Sequence, residues 1–126
     1  MFSSPNEIFK SLASSQNCRC RLKRYHASHS SGIIEVTEEG SDNLYLVFEG
    51  VEYIECPVSW RGANIFSGSA EECLEILRKL KKGFEELPGN YLAEKYHLYK
   101  FQHPDFRIRI LANSIYLTKD SSVLSA

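Results

Sequence analysis

The sequence lacks the motifs that most often reveal a protein's function. It has no C-x-x-C pair, so the spacing of a zinc ribbon is missing, and it has no glycine-rich phosphate loop, paired-acid motif or G-x-S-x-G. No apolar run approaches the roughly 20 residues that span a bilayer. The first residues also lack the basic and then apolar order of a secretory signal. We therefore expect a soluble cytoplasmic protein, and we predict no catalytic residue, cofactor or metal ligand.

Cysteine and histidine are too few and too irregularly spaced to predict a metal centre. Cys18 and Cys20 alternate on one face of a predicted strand, and Cys73 lies on the apolar stripe of a predicted helix. A free cysteine at such positions acts as a small hydrophobe, and in a reducing compartment we expect free thiols. His26 and His29 have the spacing H-x-x-H, but they lie in a serine-rich segment, and ligand type without ligand spacing is a weak indication of a metal site.

The charge is nearly balanced overall but unevenly distributed. The formal net charge is −1, yet residues 1–24 carry five basic residues against one acid, and residues 25–60 carry seven acids and no Lys or Arg. A basic strand can lie beside acidic strands and pair charges across the solvent face of a sheet. Alternatively, the acidic block can form a patch that attracts a basic partner. We favour the first explanation, because segregated charge does not by itself establish association.

One long amphipathic helix is predicted over about residues 69–82. Ser69 can cap its first turn while Glu72, three residues later, reaches back in a capping box. Apolar residues recur at intervals of three and four, so one stripe of the helix needs a surface to cover. We expect Gly83 to cap the end of the helix and the Leu-Pro-Gly segment at residues 87–89 to prevent its resumption.

A short helix and three strands are predicted in the first 50 residues. Ser4 as the N-cap and Pro5 at the first helical position begin a helix of about ten residues. Alternating apolar and polar residues predict strands at residues 17–26, 33–38 and 43–49. Gly50 leaves two alternatives open. We favour a hairpin that turns directly into residues 51–56, and the other alternative is a bulge in one long strand.

Residues 91–112 are predicted to form a second hairpin, around a turn with Pro104 at its second position. Pairing Phe101 with Phe106 places His97 on the face that points to the core. A histidine there is expected to be a core residue with a hydrogen-bond partner.

The outer face of this hairpin carries like charges. The same register sets Lys100 against Arg107, which is destabilising unless acids lie nearby. We expect the acidic strands between residues 35 and 55 to supply those acids.

These elements predict an α+β fold. We expect a mostly antiparallel sheet of about five to seven strands, with the long helix packed on it and the short N-terminal helix beside it. Length and apolar content fit a single globular domain over residues 1–126. Residues 115–118 form a last short strand in this interpretation, and residues 119–126 form a frayed tail. The hairpins fix only local pairings, so the strand order stays open.

The segment 57–69 is the candidate binding loop. It shows no clear periodicity, it is at the long end for a connection, and loops often carry function. Its candidate binding residues are Trp60, Arg61, Asn64, Ser67 and Ser69. Trp and Arg dominate binding hot spots, and an arginine beside a helix N-terminus can clamp a carboxylate or a phosphate.

Two considerations weigh against this loop as a binding site. Glu71 and Glu72 place carboxylates in the first helical turn, where they would repel an incoming phosphate. Large aromatic residues are also buried more often than they bind, so Trp60, Ile65 and Phe66 can close one end of the core. We favour this second interpretation of the loop.

Protein–protein contact is the function that we expect. The lack of a catalytic signature, the acidic central block and the Trp-Arg loop together favour a small non-enzymatic interaction module that binds another protein, or itself as a homodimer. The alternative is a small-ligand-binding domain or small enzyme with its pocket between the 57–69 loop and the helix start. Nucleophilic catalysis by Cys56 with His97 has no local signature.

Binding of single-stranded nucleic acid is the third hypothesis. Basic residues accompany aromatic ones on two predicted strands, as in single-strand binders. These residues are Arg19, Arg21, Lys23 and Tyr25 on the first strand, and Lys95, Tyr96, Lys100, Arg107 and Arg109 in the last hairpin. The slightly negative net charge is far from the basic footprint that such proteins show, and cross-strand ion pairing is the simpler explanation.

Overall fold

The computed structural model of the chain describes residues 4–12, 17–26, 30–80 and 87–125. Its helices are α1 (Pro5–Leu12), α2 (Ala70–Lys79) and α3 (Gly89–Lys95), and a 3-10 helix follows at Ser121–Ser125. Its strands are β1 (Arg19–His26), β2 (Ser31–Thr37), β3 (Leu44–Glu49), β4 (Tyr53–Glu55), β5 (Ser59–Arg61), β6 (Ile65–Ser67), β7 (His97–Phe101), β8 (Ile108–Ala112) and β9 (Ser114–Thr118). Among these residues, no helix is long and apolar enough to cross a membrane.

The strands form two antiparallel sheets. The five-stranded sheet has the order β5-β1-β2-β3-β9, and the four-stranded sheet has the order β4-β8-β7-β6. All the described pairings are antiparallel. The predicted α+β class with antiparallel strands is therefore confirmed. The strand order, which the sequence left open, depends on pairings between segments far apart in the chain, such as β3 with β9.

The main core lies between the two sheets. Phe48 on β3 contacts Tyr99 on β7 with ring centroids 5.6 Å apart, and Trp60 on β5 contacts Phe101 on β7 at 5.2 Å. Both pairs are edge-to-face, the arrangement that aromatic rings prefer. Aromatic side chains therefore connect the five-stranded sheet to the four-stranded sheet.

Helix α1 begins as the sequence predicts and closes one side of this core. The Ser4 hydroxyl accepts a hydrogen bond from the backbone N–H of Glu7 at 3.2 Å, and Pro5 is the first helical residue. Ile8 and Leu12 are fully buried in the cluster between the sheets. A helix of this length depends on such packing, because it is marginal in isolation.

Helix α2 packs on the face of the four-stranded sheet that points away from the main core. The Ser69 hydroxyl accepts from the backbone N–H of Glu72 at 3.1 Å, as predicted. A second buried cluster joins α2, α3, β7 and β8 through Cys73, Ile76, Leu77, Leu92, Tyr96, Leu98 and Leu111. The helix is shorter than predicted, because it ends at Lys79 with Leu80 as its C-cap. The predicted cap, Gly83, lies outside the described residues.

The Leu-Pro-Gly segment at residues 87–89 was predicted to prevent further helix. Instead, a new helix begins there. Pro88 is the N-cap of α3, Gly89 is its first residue, and the N–H of Leu92 donates to the Pro88 carbonyl at 3.2 Å. Residues 91–95, predicted to be part of a strand, are therefore helical. Their Leu, Ala, Glu and Lys are strong helix formers, and a proline suits the start of a helix because its φ is already fixed.

The predicted hairpin at Gly50 is wrong, because the chain changes sheets at this residue. β3 pairs with β2 and β9, whereas β4 pairs with β8 in the other sheet. Gly50 has φ +65, and a Cβ there would overlap the side-chain amide of Asn113. A glycine is required at this crossing, since it alone combines the left-handed backbone with the missing side chain.

The hairpin of β7 and β8 forms, but its register is shifted by two residues from the prediction. Phe101 pairs with Ile108 rather than with Phe106. A shift of two residues keeps the same side chains on the core face. His97 pairs with Ala112 at the beginning of β7, and its side chain is exposed, not in the core as predicted.

The 3-10 helix covers part of the outer face of the five-stranded sheet, which is the face that points away from the core. Val123 and Leu124, in the predicted frayed tail, are half-buried there. They pack against a small cluster formed by Ile33, Tyr45, Val47 and Tyr116. The guanidinium of Arg24 on β1 also donates to the backbone carbonyl of Leu124. The remaining part of this outer face, toward the beginning of β1, is described below.

Candidate interaction surface

The five predicted binding residues do not lie on one loop. The segment 57–69 contains two short edge strands, β5 and β6, which belong to different sheets. Trp60 and Arg61 lie on β5 in the five-stranded sheet, and Ser67 lies on β6 in the four-stranded sheet. Gly62, with φ +95, follows β5 at the start of the crossing. The lack of periodicity in this segment reflects the crossing between sheets.

Trp60 is a core residue. Its side chain is 4% exposed and packs edge-to-face on Phe101, while its backbone pairs with Cys20 of β1. The indole Nε1 is buried and has no hydrogen-bond partner within the described part of the chain. This placement agrees with the interpretation in which Trp60 closes the end of the core.

The polar members of the candidate set serve the local structure. The Asn64 side chain donates to the Gln102 side chain at 2.9 Å, and Ser69 caps α2. Ser67 is exposed and, with Ser69 and His97, borders a depression of about 130 Å³ at the start of α2. This volume is below the roughly 300–1,000 Å³ of typical small-molecule pockets.

A network of ion pairs on the four-stranded sheet neutralises like charges that face each other. Lys100 and Arg109 are direct cross-strand partners. The Glu72 carboxylate of α2 accepts from Lys100 Nζ at 3.0 Å and from Arg109 Nη1 at 3.1 Å. Glu55 of β4 pairs with Arg109 Nη2 at 2.9 Å and with Arg107 Nε at 3.2 Å. The predicted need for acids is thus met by Glu55, from the expected block, and by Glu72, from the helix.

The pKa values of the two carboxyl groups reflect this pairing. Partial burial acts to raise the pKa of Glu55, but hydrogen bonds from Arg109, Tyr53 and Arg107 outweigh it and leave the pKa below its usual value. The pKa of Glu72 is lowered in the same way, because hydrogen bonds from Lys100 and Arg109 exceed the effect of burial. Both groups are carboxylates at neutral pH, and each is committed to neighbouring cations.

The five-stranded sheet also brings like charges together across two strands. Arg19 on β1 is the direct partner of Arg61 on β5, and Arg21 lies two residues along β1 on the same outer face. All three side chains are exposed. We call Arg19, Arg21 and Arg61 the arginine face. None of the ion pairs found between described residues includes any of these three arginines.

A shallow depression of about 280 Å³ adjoins the arginine face. Its lining residues are Arg19, Arg21, Glu35, Thr37 and Asn43. Glu35 is the direct cross-strand partner of Arg21 and is the single acid in this lining. Guanidinium groups with exposed donors beside one carboxylate leave a net positive surface, which can accept the carboxylates of another molecule.

The groups considered for catalysis do not assemble into a site. Cys56 follows β4 while His97 begins β7, and β8 lies between these two strands. Burial raises the pKa of the Cys56 thiol, which is the opposite of what a nucleophilic thiolate needs. Across residues 4–12, 17–26, 30–80 and 87–125, no cluster of three or more His, Cys, Asp or Glu could hold a metal ion. His29 lies outside these ranges.

The two basic sets considered for nucleic acid are not equivalent. Lys100, Arg107 and Arg109 are engaged with Glu55 and Glu72, so they offer little charge to phosphates. In β1 the register with β2 shifts between Leu22 and Arg24, which interrupts the basic series after Arg21. The arginine face is therefore a compact cluster and not part of a long basic track.

Local sequence patterns identify the three arginines individually, but they do not predict that the three lie side by side on one face of the sheet. Arg19 and Arg21 alternate on a predicted strand, and Arg61 was a candidate binding residue. Their common location depends on the pairing of β1 with β5, which are some 40 residues apart, and no local signal encodes that pairing.

Comparisons of the chain with family models, with curated proteins and with solved structures found no match.

Proposed function

We propose that this protein is a non-enzymatic protein–protein interaction module that binds an acidic protein segment through the arginine face. The observation that carries the proposal is the pairing of Arg19 with Arg61 on an exposed sheet face. Like charges that face each other directly across strands are destabilising. An acidic segment laid over these arginines would remove that repulsion.

The other sheet of the same chain supports this interpretation. There, Lys100 also faces Arg109, but Glu72 bridges the two cations. Among the described residues, acids of the chain thus pair with one set of facing cations, whereas Arg19 and Arg61 form no ion pair and are available to the carboxylates of a partner. Each guanidinium can bind a carboxylate with two parallel hydrogen bonds, which favours arginine over lysine at such a surface.

A protein segment is a better candidate than nucleic acid. Single-strand binders combine a basic groove with exposed aromatic rings on which bases stack. The arginine face has no such ring among the described residues that line its depression, and the nearby Tyr45 is buried. We place this module in the cytoplasm, where its four cysteines, three of them buried and none in a disulfide, remain reduced.

The proposal is tested by titrating the protein, observed by NMR, with a poly-glutamate peptide, an oligothymidylate of matched charge and inorganic phosphate. We expect the peptide to shift the backbone amides of residues 19–21, 35–37 and 59–61. The double variant Arg19→Glu with Arg61→Glu should weaken peptide binding by about tenfold or more, since each exposed ion pair contributes up to about 1 kcal/mol.

The matched control reverses two other exposed basic residues. Lys10 on α1 and Arg78 on α2 are exposed and lie on other elements. The double variant Lys10→Glu with Arg78→Glu makes the same change in net charge, and it should alter peptide binding by less than about twofold. Equal losses in both double variants would contradict a localised site. Tighter binding of the oligothymidylate than of the peptide would favour the nucleic-acid hypothesis instead.

A further inference from the structure

An acidic turn lies at the end of the sheet that carries the arginine face. Residues 38–43 connect β2 to β3, and their acids, Glu38, Glu39 and Asp42, are all exposed. We call these three residues the acidic turn. The N–H of Ser41 donates to the Glu38 carbonyl at 3.1 Å, so the backbone of the turn is ordered by its own hydrogen bond.

The acidic turn and the arginine face are neighbours. β2 ends at Thr37, which is the direct partner of Arg19, and Arg19 is in turn the partner of Arg61. Adjacent strands are about 4.8 Å apart, so positive and negative groups adjoin along one end of a single sheet. No ion pair between the two groups occurs among the described residues.

We infer that the acidic segment bound by the arginine face is the acidic turn of a second copy of this chain, which makes the protein a homodimer. This inference rests on the function proposed above. A surface with adjoining positive and negative halves is complementary to itself under a twofold rotation. Each arginine face then contacts the acidic turn of the partner, and the same contact occurs twice.

The shape and composition of the turn favour this occupant over an unrelated acidic segment. Three acids in the turn match the three arginines of the face. Gly40 at the tip has φ +81, and nothing lies within 4 Å of the position that its Cβ would occupy. The tip therefore has no side chain and has open space beside it, which favours its approach to the depression beside Arg19 and Arg21 in another molecule.

The predicted dimer depends strongly on salt. Its contacts are exposed ion pairs, which are individually weak and are screened when the Debye length becomes short. We expect the dimer dissociation constant to rise by about tenfold or more between about 50 mM and about 500 mM sodium chloride.

The experiment is a charge-swap test by sedimentation equilibrium of the full chain. The first double variant, Arg19→Glu with Arg61→Glu, has an acidic face and an acidic turn. The second, Glu38→Lys with Glu39→Lys, has a basic face and a basic turn. Each variant alone should be monomeric at concentrations where the wild-type chain is dimeric, whereas an equimolar mixture should form a heterodimer, because both contacts are again complementary.

The control and the outcomes separate this inference from the proposed function. The double variant Arg78→Glu with Glu94→Lys changes exposed charges elsewhere and should dimerise like the wild type. Formation of the heterodimer supports the inference and also shows that both variants are folded. A wild-type chain that stays monomeric but binds poly-glutamate overturns the inference and leaves the proposed function standing. A dimer that neither variant disrupts overturns the inference as well, and a monomer that binds no peptide overturns both.

Discussion

At the scale of single residues, the alternation of strand side chains separates two neighbours that the sequence places together. Trp60 points into the core and contacts Phe101, whereas Arg61 points outward beside Arg19. Hot-spot composition alone cannot separate these two roles, because Trp and Arg are both typical of interfaces. The separation follows from the period of two along β5, a strand too short for its pattern to be recognised in the sequence.

Two substitutions at Trp60 should distinguish the stability that its packing contributes from the effect of its buried indole N–H. Trp60→Ala removes the contact with Phe101 and leaves a cavity, so we expect the free energy of unfolding to fall by about 3–5 kcal/mol. Trp60→Phe keeps an aromatic ring and removes an indole N–H that lacks a described partner, so we expect a loss of about 1 kcal/mol or less. Urea denaturation measures both. A large loss for Trp60→Phe would show that the indole N–H has a partner, such as a buried water.

At the scale of elements, the crossings between the sheets were the hardest features to predict. Helices α1 and α2 have capping residues at their starts and stripes of period near 3.6, so the sequence located both starts correctly. The sequence pattern does not separate α3 from β7, because the residues of α3 continue directly into the strand and residues 91–101 together have the pattern of one strand. β5 and β6 were missed because three residues are too few to show a period.

Gly50 lies at one of these crossings, and we expect its substitution to lower the free energy of unfolding. Gly50→Ala introduces a side chain at φ +65 that meets Asn113, whose N–H donates to the Glu49 carbonyl at 2.9 Å. We expect the free energy of unfolding to fall by about 2–4 kcal/mol, from backbone strain and overlap together. Gly40→Ala is the matched control, because Gly40 also has a positive φ but has open space around it. Gly40→Ala should lower the free energy of unfolding by about 1 kcal/mol.

Thermal and urea unfolding of both glycine variants would measure these losses. A loss of only about 1 kcal/mol in Gly50→Ala, no larger than that expected for Gly40→Ala, would mean that Asn113 moves aside easily and that the crossing tolerates a side chain. A loss in Gly40→Ala as large as that expected for Gly50→Ala would contradict the open surroundings of the acidic turn.

At the scale of the whole molecule, one ion-pair network connects the helical layer to the sheet beneath it. Glu72 joins α2 to β7 and β8 through Lys100 and Arg109, and Glu55 joins β4 to β8. The Arg109 side chain is only 11% exposed, so its two carboxylates are needed to offset the cost of burying a cation. The sequence indicated that acids would be required near Lys100, but it could not identify Glu72, which the packing of α2 brings there.

This network predicts how the stability of the molecule depends on pH. The folded-state pKa values of Glu55 and Glu72 lie below their ordinary values, so the unfolded chain binds protons first as the pH falls. The contribution of the network is therefore complete above about pH 5 and is lost as the pH falls through the folded-state pKa values. Urea denaturation at a series of pH values should show this decline.

Removal of one carboxylate should reduce that pH dependence. Glu72→Gln leaves Lys100 and Arg109 with one acid fewer, and we expect a loss of about 1–3 kcal/mol at neutral pH and a weaker decline below about pH 5. Glu75→Gln on the same helix is the control. Its ion pair with Lys79 is exposed and lies one turn apart on the helix, so the loss should be about 0.5 kcal/mol or less. Equal losses in both variants would contradict a structural role for the network.

The position of β9 has a consequence for how the protein is made. This last strand pairs with β3, and much of the main core comes from late segments of the chain, through Ile108, Ile110, Ala112, Ile115 and Leu117. β1, β2 and β3 leave the ribosome before these late segments, which supply many of the side chains that their core-facing residues contact. The hairpins can form during translation, but the two sheets close only after residues 108–118 have emerged. The apolar faces of β1, β2 and β3 therefore stay largely exposed until these late segments are available, and folding intermediates with such exposed surface are prone to aggregate.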